Sequence, residues 1–222
     1  MVRVPPHIER LVPYTPGKSV ASLARETGAK EIIKLASNEN PLGPSPKAVA
    51  AIKKALERIH FYPDDGFALR KKLAAKFHVA PENILLSNGS DSIMLAIVRA
   101  FVTEGGEVVT SERSFAQFNL MPLAQGAVVK EAPMKNDRYD LEAIAKKITP
   151  QTQVVFLANP NNPTGTIFTK KEWESFLSHV SKEVLIVCDE AYAEFVQGNL
   201  EWPNSLQYQR DNIITSRTFS KA

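Results

Sequence analysis

The stretch Gln153-Val154-Val155-Phe156-Leu157-Ala158, followed at once by Asn159-Pro160-Asn161-Asn162-Pro163-Thr164-Gly165, decides the architecture of this chain. From Val154 to Ala158 no polar residue interrupts the run, the pattern of a strand covered on both faces rather than one. The turn formers after it stop the strand. Thr169, with Glu172 three residues later, then forms a capping box that starts a helix near 170–180. Beyond it, Val184-Leu185-Ile186-Val187-Cys188 is a second unalternated run. Strand, crossover helix and strand, both strands apolar throughout, imply a parallel pair inside a covered sheet.

Outward from this unit the alternation repeats. Further strands are expected at Ile84–Ser87, Glu107–Ser111, Ala127–Glu131 and Asn212–Ser216, and further helices near 91–102, 115–125 and 140–147. The expected fold class is therefore α/β, three layers with a mainly parallel sheet between helices. Two more helices precede it. Ser45 with Pro46 starts one whose apolar face is Val49, Ile52, Leu56 and Ile59, and Leu69, Leu73 and Phe77 mark the next. Residues 1–45, rich in proline and polar groups, read as an amino-terminal arm, and 46–222 as the main domain. No internal repeat or low-complexity segment appears.

Composition narrows the function classes. With 44% hydrophobic and 23% charged residues in 222, the chain is of globular type. The net charge of +3 is spread among acidic residues on helices, without the basic run or zinc-finger spacing of a nucleic-acid binder. One cysteine, Cys188, leaves no internal disulfide, and its place in an apolar run makes it a small buried hydrophobe. No apolar run approaches the roughly twenty residues of a membrane span, and Met1 to His7 hold no signal-peptide core. A cytoplasmic protein with no membrane partner is expected. His7, His60, His78 and His179 lack metal-ligand spacing.

In open parallel sheets, ligands bind beyond the carboxyl ends of the strands. Polar groups collect at those places: Asn88-Gly89-Ser90-Asp91, Asn161-Asn162, Asp189 with Tyr192, and Thr218, Ser220 and Lys221. Four separate loops thus bring an amine, a carboxylate, a phenol, an amide and hydroxyls to one edge.

In their order and spacing these segments, LASNENPLGPS, FYPDDG, LLSNGSD, ANPNNPTG, VCDEAY and TFSKA, resemble the fold-type I pyridoxal-phosphate aminotransferases, and within them the histidinol-phosphate aminotransferase group. The resemblance runs from about Tyr14 to Ala222 and implies pyridoxal 5'-phosphate as cofactor. It makes Lys221 the residue that binds the cofactor's aldehyde and, once freed, moves the substrate proton. Asp189 would keep the pyridine nitrogen protonated, while Tyr192 and Asn162 would donate to the phenolic oxygen. Ser90 and Asp91, opening a helix after Gly89, would hold the phosphate with main-chain amides, aided by Thr218 and Ser220. Phe115 stands where the family stacks an aromatic on the ring, and Phe118 is expected to pack in the core. Tyr62 resembles the tyrosine that crosses a homodimer interface to the partner's cofactor phosphate. Tyr14 resembles an arm tyrosine near the substrate's own phosphate.

The implied reaction is amino transfer between glutamate and imidazole-acetol phosphate in histidine synthesis, with amino-acid and keto-acid substrates. An aminotransferase for aromatic or other amino acids, a pyridoxal-phosphate decarboxylase of a phosphorylated amino acid, and a non-catalytic cofactor-binding or dimerising module stay open beside it. Family members continue past the lysine with further arginines and a small domain, so the resemblance implies that residues 1–222 are the first part of a longer polypeptide and inactive alone. Two departures bear on substrate rather than cofactor: Ser92 stands where many relatives have glutamate, and Ser111-Glu112-Arg113-Ser114 lacks a proline common there.

Overall fold

Five parallel strands organise the computed structural model, which describes residues 2–14, 17–208 and 210–221. In chain order the strands are β1 (Glu107–Ser111), β2 (Val128–Ala132), β3 (Met134–Lys135), β4 (Arg138–Tyr139), β5 (Thr152–Ala158), β6 (Leu185–Asp189) and β7 (Ile213–Ser216). The sheet runs β2-β1-β5-β6-β7, every pair parallel, while β3 and β4 form a separate antiparallel hairpin. Among the described residues the α-helices are α1 (Pro6–Glu9), α2 (Val20–Thr27), α3 (Pro46–Ala55), α4 (Phe67–Phe77), α5 (Ser90–Phe101), α6 (Gln117–Ala124), α7 (Leu141–Lys147) and α8 (Lys170–His179).

Two compact units are distinguished. The larger comprises the residues up to Tyr14 and Ser87–Ser220 and holds the whole sheet. Its central strands β5 and β6 are apolar along most of their length because both faces are covered. Val155, Leu157, Ile186 and Cys188 share one core with Leu141 and Ile144 of α7 and Trp173 and Phe176 of α8. Val154, Phe156, Leu185 and Val187 share the other with Met94, Ile97 and Val98 of α5 and Phe118 of α6. The side-chain period of two along each strand sends neighbours to opposite cores, giving three layers. Trp173 stacks on Phe168 at 5.5 Å and on Phe176 at 5.8 Å, and Phe118 on Phe156 at 5.1 Å. The capping box of α8 is formed by Thr169 and Glu172.

Two details differ from the sequence reading. Ile84–Ser87, expected as a strand, joins neither sheet, and Leu85 is 72% exposed. Apolar composition favours extended backbone, but a strand exists only where a neighbour supplies ladder partners. Conversely, the short β3–β4 hairpin was not anticipated; its turn residues Asn136 and Asp137 take φ of 52° and 58°, the left-handed pair such turns need.

The smaller unit, Thr15–Leu86 with Lys221, carries α2, α3 and α4. Ser19 caps α2 by accepting from the Ser22 N–H, and Gly28 ends it at φ 70°. Pro46 opens α3 as expected, although Ser45 makes no side-chain cap bond. The apolar face of that segment remains exposed at Ile52, Leu56 and Ile59.

Candidate functional site

Register places the site. Ala158 of β5 pairs with Asp189 of β6, and Asp189 with Ser216 of β7, so three strands end level with one another. At the usual strand spacing of about 4.8 Å, the loops that follow leave one edge side by side. These are the loops in which the sequence placed Asn162, Asp189, Tyr192, Thr218 and Ser220.

Asp189 is 6% exposed, and the Ser216 hydroxyl donates to its Oδ1 at 2.5 Å. Burial pushes its pKa up to about 6; the bonds from Ser216 and the Ala191 N–H oppose the rise, and the charges of Glu190 and Asp91 add to it. A buried, oriented carboxylate at a strand end is suited to receive a protonated ring nitrogen or another cationic donor. That Asp91 acts on Asp189 also brings the start of α5 towards the end of β6.

At that start Gly89 has φ 81° and ψ 170°, and no side chain caps the helix. The first amides of α5 are therefore left for an anion, which the helix dipole favours. Ser90 is half-buried and Asp91 exposed, so the carboxylate of Asp91 has room to turn to solvent while its amide stays in the helix end. An uncapped helix end and a buried, oriented carboxylate, within one unit, suit a phosphorylated pyridine.

The loop after β5 is braced by its asparagines. Asn159, fully buried, donates from Nδ2 to the Phe168 carbonyl and accepts from the Phe168 N–H. Asn161 donates to the Arg113 carbonyl and to Thr164 Oγ1, and accepts from Ser114. Ser114 also bonds the Tyr139 hydroxyl, which in turn accepts from the Ala158 N–H; burial pushes that phenol's pKa up. Asn162, next in the chain, is half-buried at the tip this bracing presents.

Phe115 lies partly buried against the α5–α6 core, edge-on to the fully buried Phe118 at 5.7 Å. Phe118 is the packing residue expected. Tyr192 opens the turn after β6, 6.4 Å between ring centroids from Phe195. Thr218 Oγ1 and Ser220 Oγ lie 2.9 Å apart, and the Ser220 N–H also donates to Thr218 Oγ1, so both hydroxyls belong to one turn. Lys221 is the next residue, half-buried. Tyr14 is 61% exposed in the larger unit and is not drawn into this cluster; Tyr62 is 96% exposed in the smaller. Among the described residues no group of histidine, cysteine and carboxylate side chains could hold a metal, and no helix is long and apolar enough to cross a membrane.

Sequence reasoning missed Ser216, Glu190 and Arg217. The signal was present in the polar residues directly after β6 and β7, but only pairing shows that Glu190 is wholly buried and bonded twice by Arg217.

A family model for aminotransferase class I and II matches residues 30–222. The histidinol-phosphate aminotransferase of Anaeromyxobacter sp. (strain Fw109-5) is 46% identical, over 100% of this chain and 62% of its own length. Histidinol-phosphate aminotransferase 2 of Carboxydothermus hydrogenoformans is 44% identical over 97% of this chain and 60% of its own. The chain thus spans about three fifths of the relatives it matches. Among solved structures, histidinol-phosphate aminotransferase from Sinorhizobium meliloti, in complex with pyridoxal-5'-phosphate, superposes with a TM-score of 0.88 at 31% identity, over 100% of this chain and 60% of that one. A Thermus thermophilus aspartate aminotransferase mutant gives 0.84 at 22% identity, covering 100% and 61%, a likeness of fold alone.

Proposed function

The chain belongs to the aminotransferase class I and II family, and from that membership we propose that it supplies the cofactor-binding part of a pyridoxal-phosphate-dependent histidinol-phosphate aminotransferase. The observation that carries the reading is Asp189, a buried carboxylate oriented by the Ser216 hydroxyl, at the same sheet edge as an uncapped helix start. Relatives at 44–46% identity that bear this name support the substrate.

Pyridoxal phosphate, when bound, supplies an electron-accepting ring. The chain's own groups do the rest. Lys221 would hold the cofactor through its amine and would be the base that takes the proton from the substrate's α-carbon. Asp189 keeps a proton on the pyridine nitrogen. Tyr192 and Asn162 donate to the phenolic oxygen and stabilise its negative charge. The amides of Ser90 and Asp91, with the hydroxyls of Thr218 and Ser220, bind the phosphate, and Phe115 flanks the ring. In a cytoplasmic homodimer Tyr62 reaches the partner's cofactor phosphate, and Tyr14 contacts the phosphate of the substrate. On this reading residues 1–45 are an arm and 46–222 the cofactor-binding domain of the longer enzyme.

The test is amino transfer by the full-length protein with histidinol phosphate and, separately, phenylalanine as donor to 2-oxoglutarate. Preferred turnover of the phosphate ester is expected. Turnover of phenylalanine alone would move the assignment to an aromatic aminotransferase, and turnover of neither would defeat it.

A further inference from the structure

The proposed chemistry uses Asp189 but not its neighbour. Glu190 is 0% exposed, yet it is a carboxylate in a position where an apolar residue would cost less to bury. Its Oε2 accepts from Arg217 Nε at 3.1 Å and Nη2 at 2.5 Å, and its Oε1 from the Ser205 N–H at 2.7 Å. Arg217 Nη2 also donates to Asn204 Oδ1, and its guanidinium lies 5.8 Å from the centroid of the Trp202 ring. Trp202 Nε1 in turn donates to the Asn159 carbonyl at 3.1 Å. The ion pair therefore joins the chain after β6 to the chain after β7, and Trp202, under the guanidinium, carries the link on to the chain after β5.

The period of two gives this pair its meaning. Leu185 and Val187, of the same parity as Asp189, face the α5–α6 core, while Ile186 and Cys188, of the parity of Glu190, face the α7–α8 core. On β7, Ile214 packs against the α5–α6 core and Ile213 against the other, so Ser216 and Arg217 divide in the same way. Residues 189 and 216 make one rung between the strand ends and residues 190 and 217 the next, pointing to opposite faces. The front rung is Asp189 with Ser216. The back rung is Glu190 with Arg217, tied further by the Glu190 N–H to the Ser216 carbonyl at 2.9 Å.

We propose that the Glu190–Arg217 pair is a positioning device for the cofactor site: from the far face of the sheet it locks the end of β6, bearing Asp189 and Tyr192, to the end of β7, from which Thr218, Ser220 and Lys221 follow. Hydrogen bonds of fixed direction set this spacing, which an apolar pair of equal volume would leave loose. Arg217 stands one residue before Thr218, so a change in its anchorage passes directly to the hydroxyls and the amine beyond. The proposal rests on the aminotransferase reading above.

Full-length holoprotein carrying E190Q, R217Q, or both supplies the test, with R217K as the charge-retaining control. Three quantities are read: kcat against KM, the midpoint of the bound cofactor's absorbance titration with pH, and thermal unfolding of the cofactor-free form. Each single neutral variant removes one charge of the ion pair and leaves its partner without that counter-charge, so both lower the unfolding midpoint. The double variant removes both charges and regains stability. Positioning predicts that the double variant nonetheless keeps a shifted absorbance midpoint and loses about 10²-fold in kcat, with KM changed far less. R217K, retaining charge without the fork, falls between. A double variant with restored stability whose absorbance midpoint and kcat match the parent overturns the proposal and leaves the pair a structural one. A parent protein that shows no bound-cofactor absorbance overturns the aminotransferase reading and this inference with it.

Discussion

Removing the charge of Asp189 tests the site without any catalytic assay. In the cofactor-free protein its pKa rises from 3.8 to about 6, chiefly because burial disfavours the carboxylate. An acid whose folded pKa is raised binds its proton more tightly when folded. Its contribution to stability is fully present below pH 3.8 and is lost as the pH rises through about 6. The shift of about two units is worth roughly 3 kcal/mol at about 1.4 kcal/mol per unit. Asp189→Asn keeps the size and an oxygen to accept from Ser216 but cannot ionise. The difference in unfolding free energy between variant and parent should therefore grow by roughly 2.4 kcal/mol in the variant's favour from pH 4 to pH 7, most of it below pH 6. Any fixed cost of the amide moves the whole curve without changing that slope. The assay is urea unfolding of the full-length protein stripped of cofactor, for both forms, across this range. On the proposed reading pyridoxal phosphate would present a proton-bearing nitrogen to the parent's carboxylate, so the cofactor should stabilise the parent more than the variant at pH 7.5. A difference that stays flat with pH would refute the argument that burial makes the charge of Asp189 costly.

Other consequences follow from packing and hydrogen bonding. Trp173→Ala, at a fully buried ring stacked between Phe168 and Phe176, should cost about 3–5 kcal/mol in denaturant unfolding. Trp173→Phe should cost markedly less than the alanine change, because the indole N–H is buried without a partner among the described residues and its removal relieves that penalty. Thr169→Ala, which dismantles the capping box of α8, should cost about 1 kcal/mol and leave kcat unchanged. Asn161→Ala strands the groups it joins at Arg113, Ser114 and Thr164, and should lower stability by about 2–3 kcal/mol and reduce cofactor affinity, measured by unfolding and by fluorescence titration.

Much of the fold was legible because two-sided burial writes itself into sequence as unbroken apolar runs. Glu107–Ser111 appears as β1 without a change of boundary, and β5 and β6 within a residue or so of expectation. The expected strand Ile84–Ser87 fails for a reason the run itself does not contain, since pairing belongs to the neighbour. The site was half legible. Asp189, Asn162, Thr218 and Ser220 stand at the strand-end loops where apolar runs give way to polar residues. What those loops are tied by was hidden: Glu190 reads in sequence as one more loop carboxylate, and only its register beside Arg217 makes it a buried brace. The bracing by Tyr139 was hidden likewise, because the phenol comes from a hairpin whose turn, Asn136-Asp137, lacks the glycine that usually marks one.

The most direct test of the proposed function, in which Lys221 is the residue that binds pyridoxal phosphate, is borohydride reduction of the full-length protein with the cofactor, followed by peptide mass mapping. The account predicts one cofactor adduct, on Lys221. An adduct on any other lysine, or none, would contradict it.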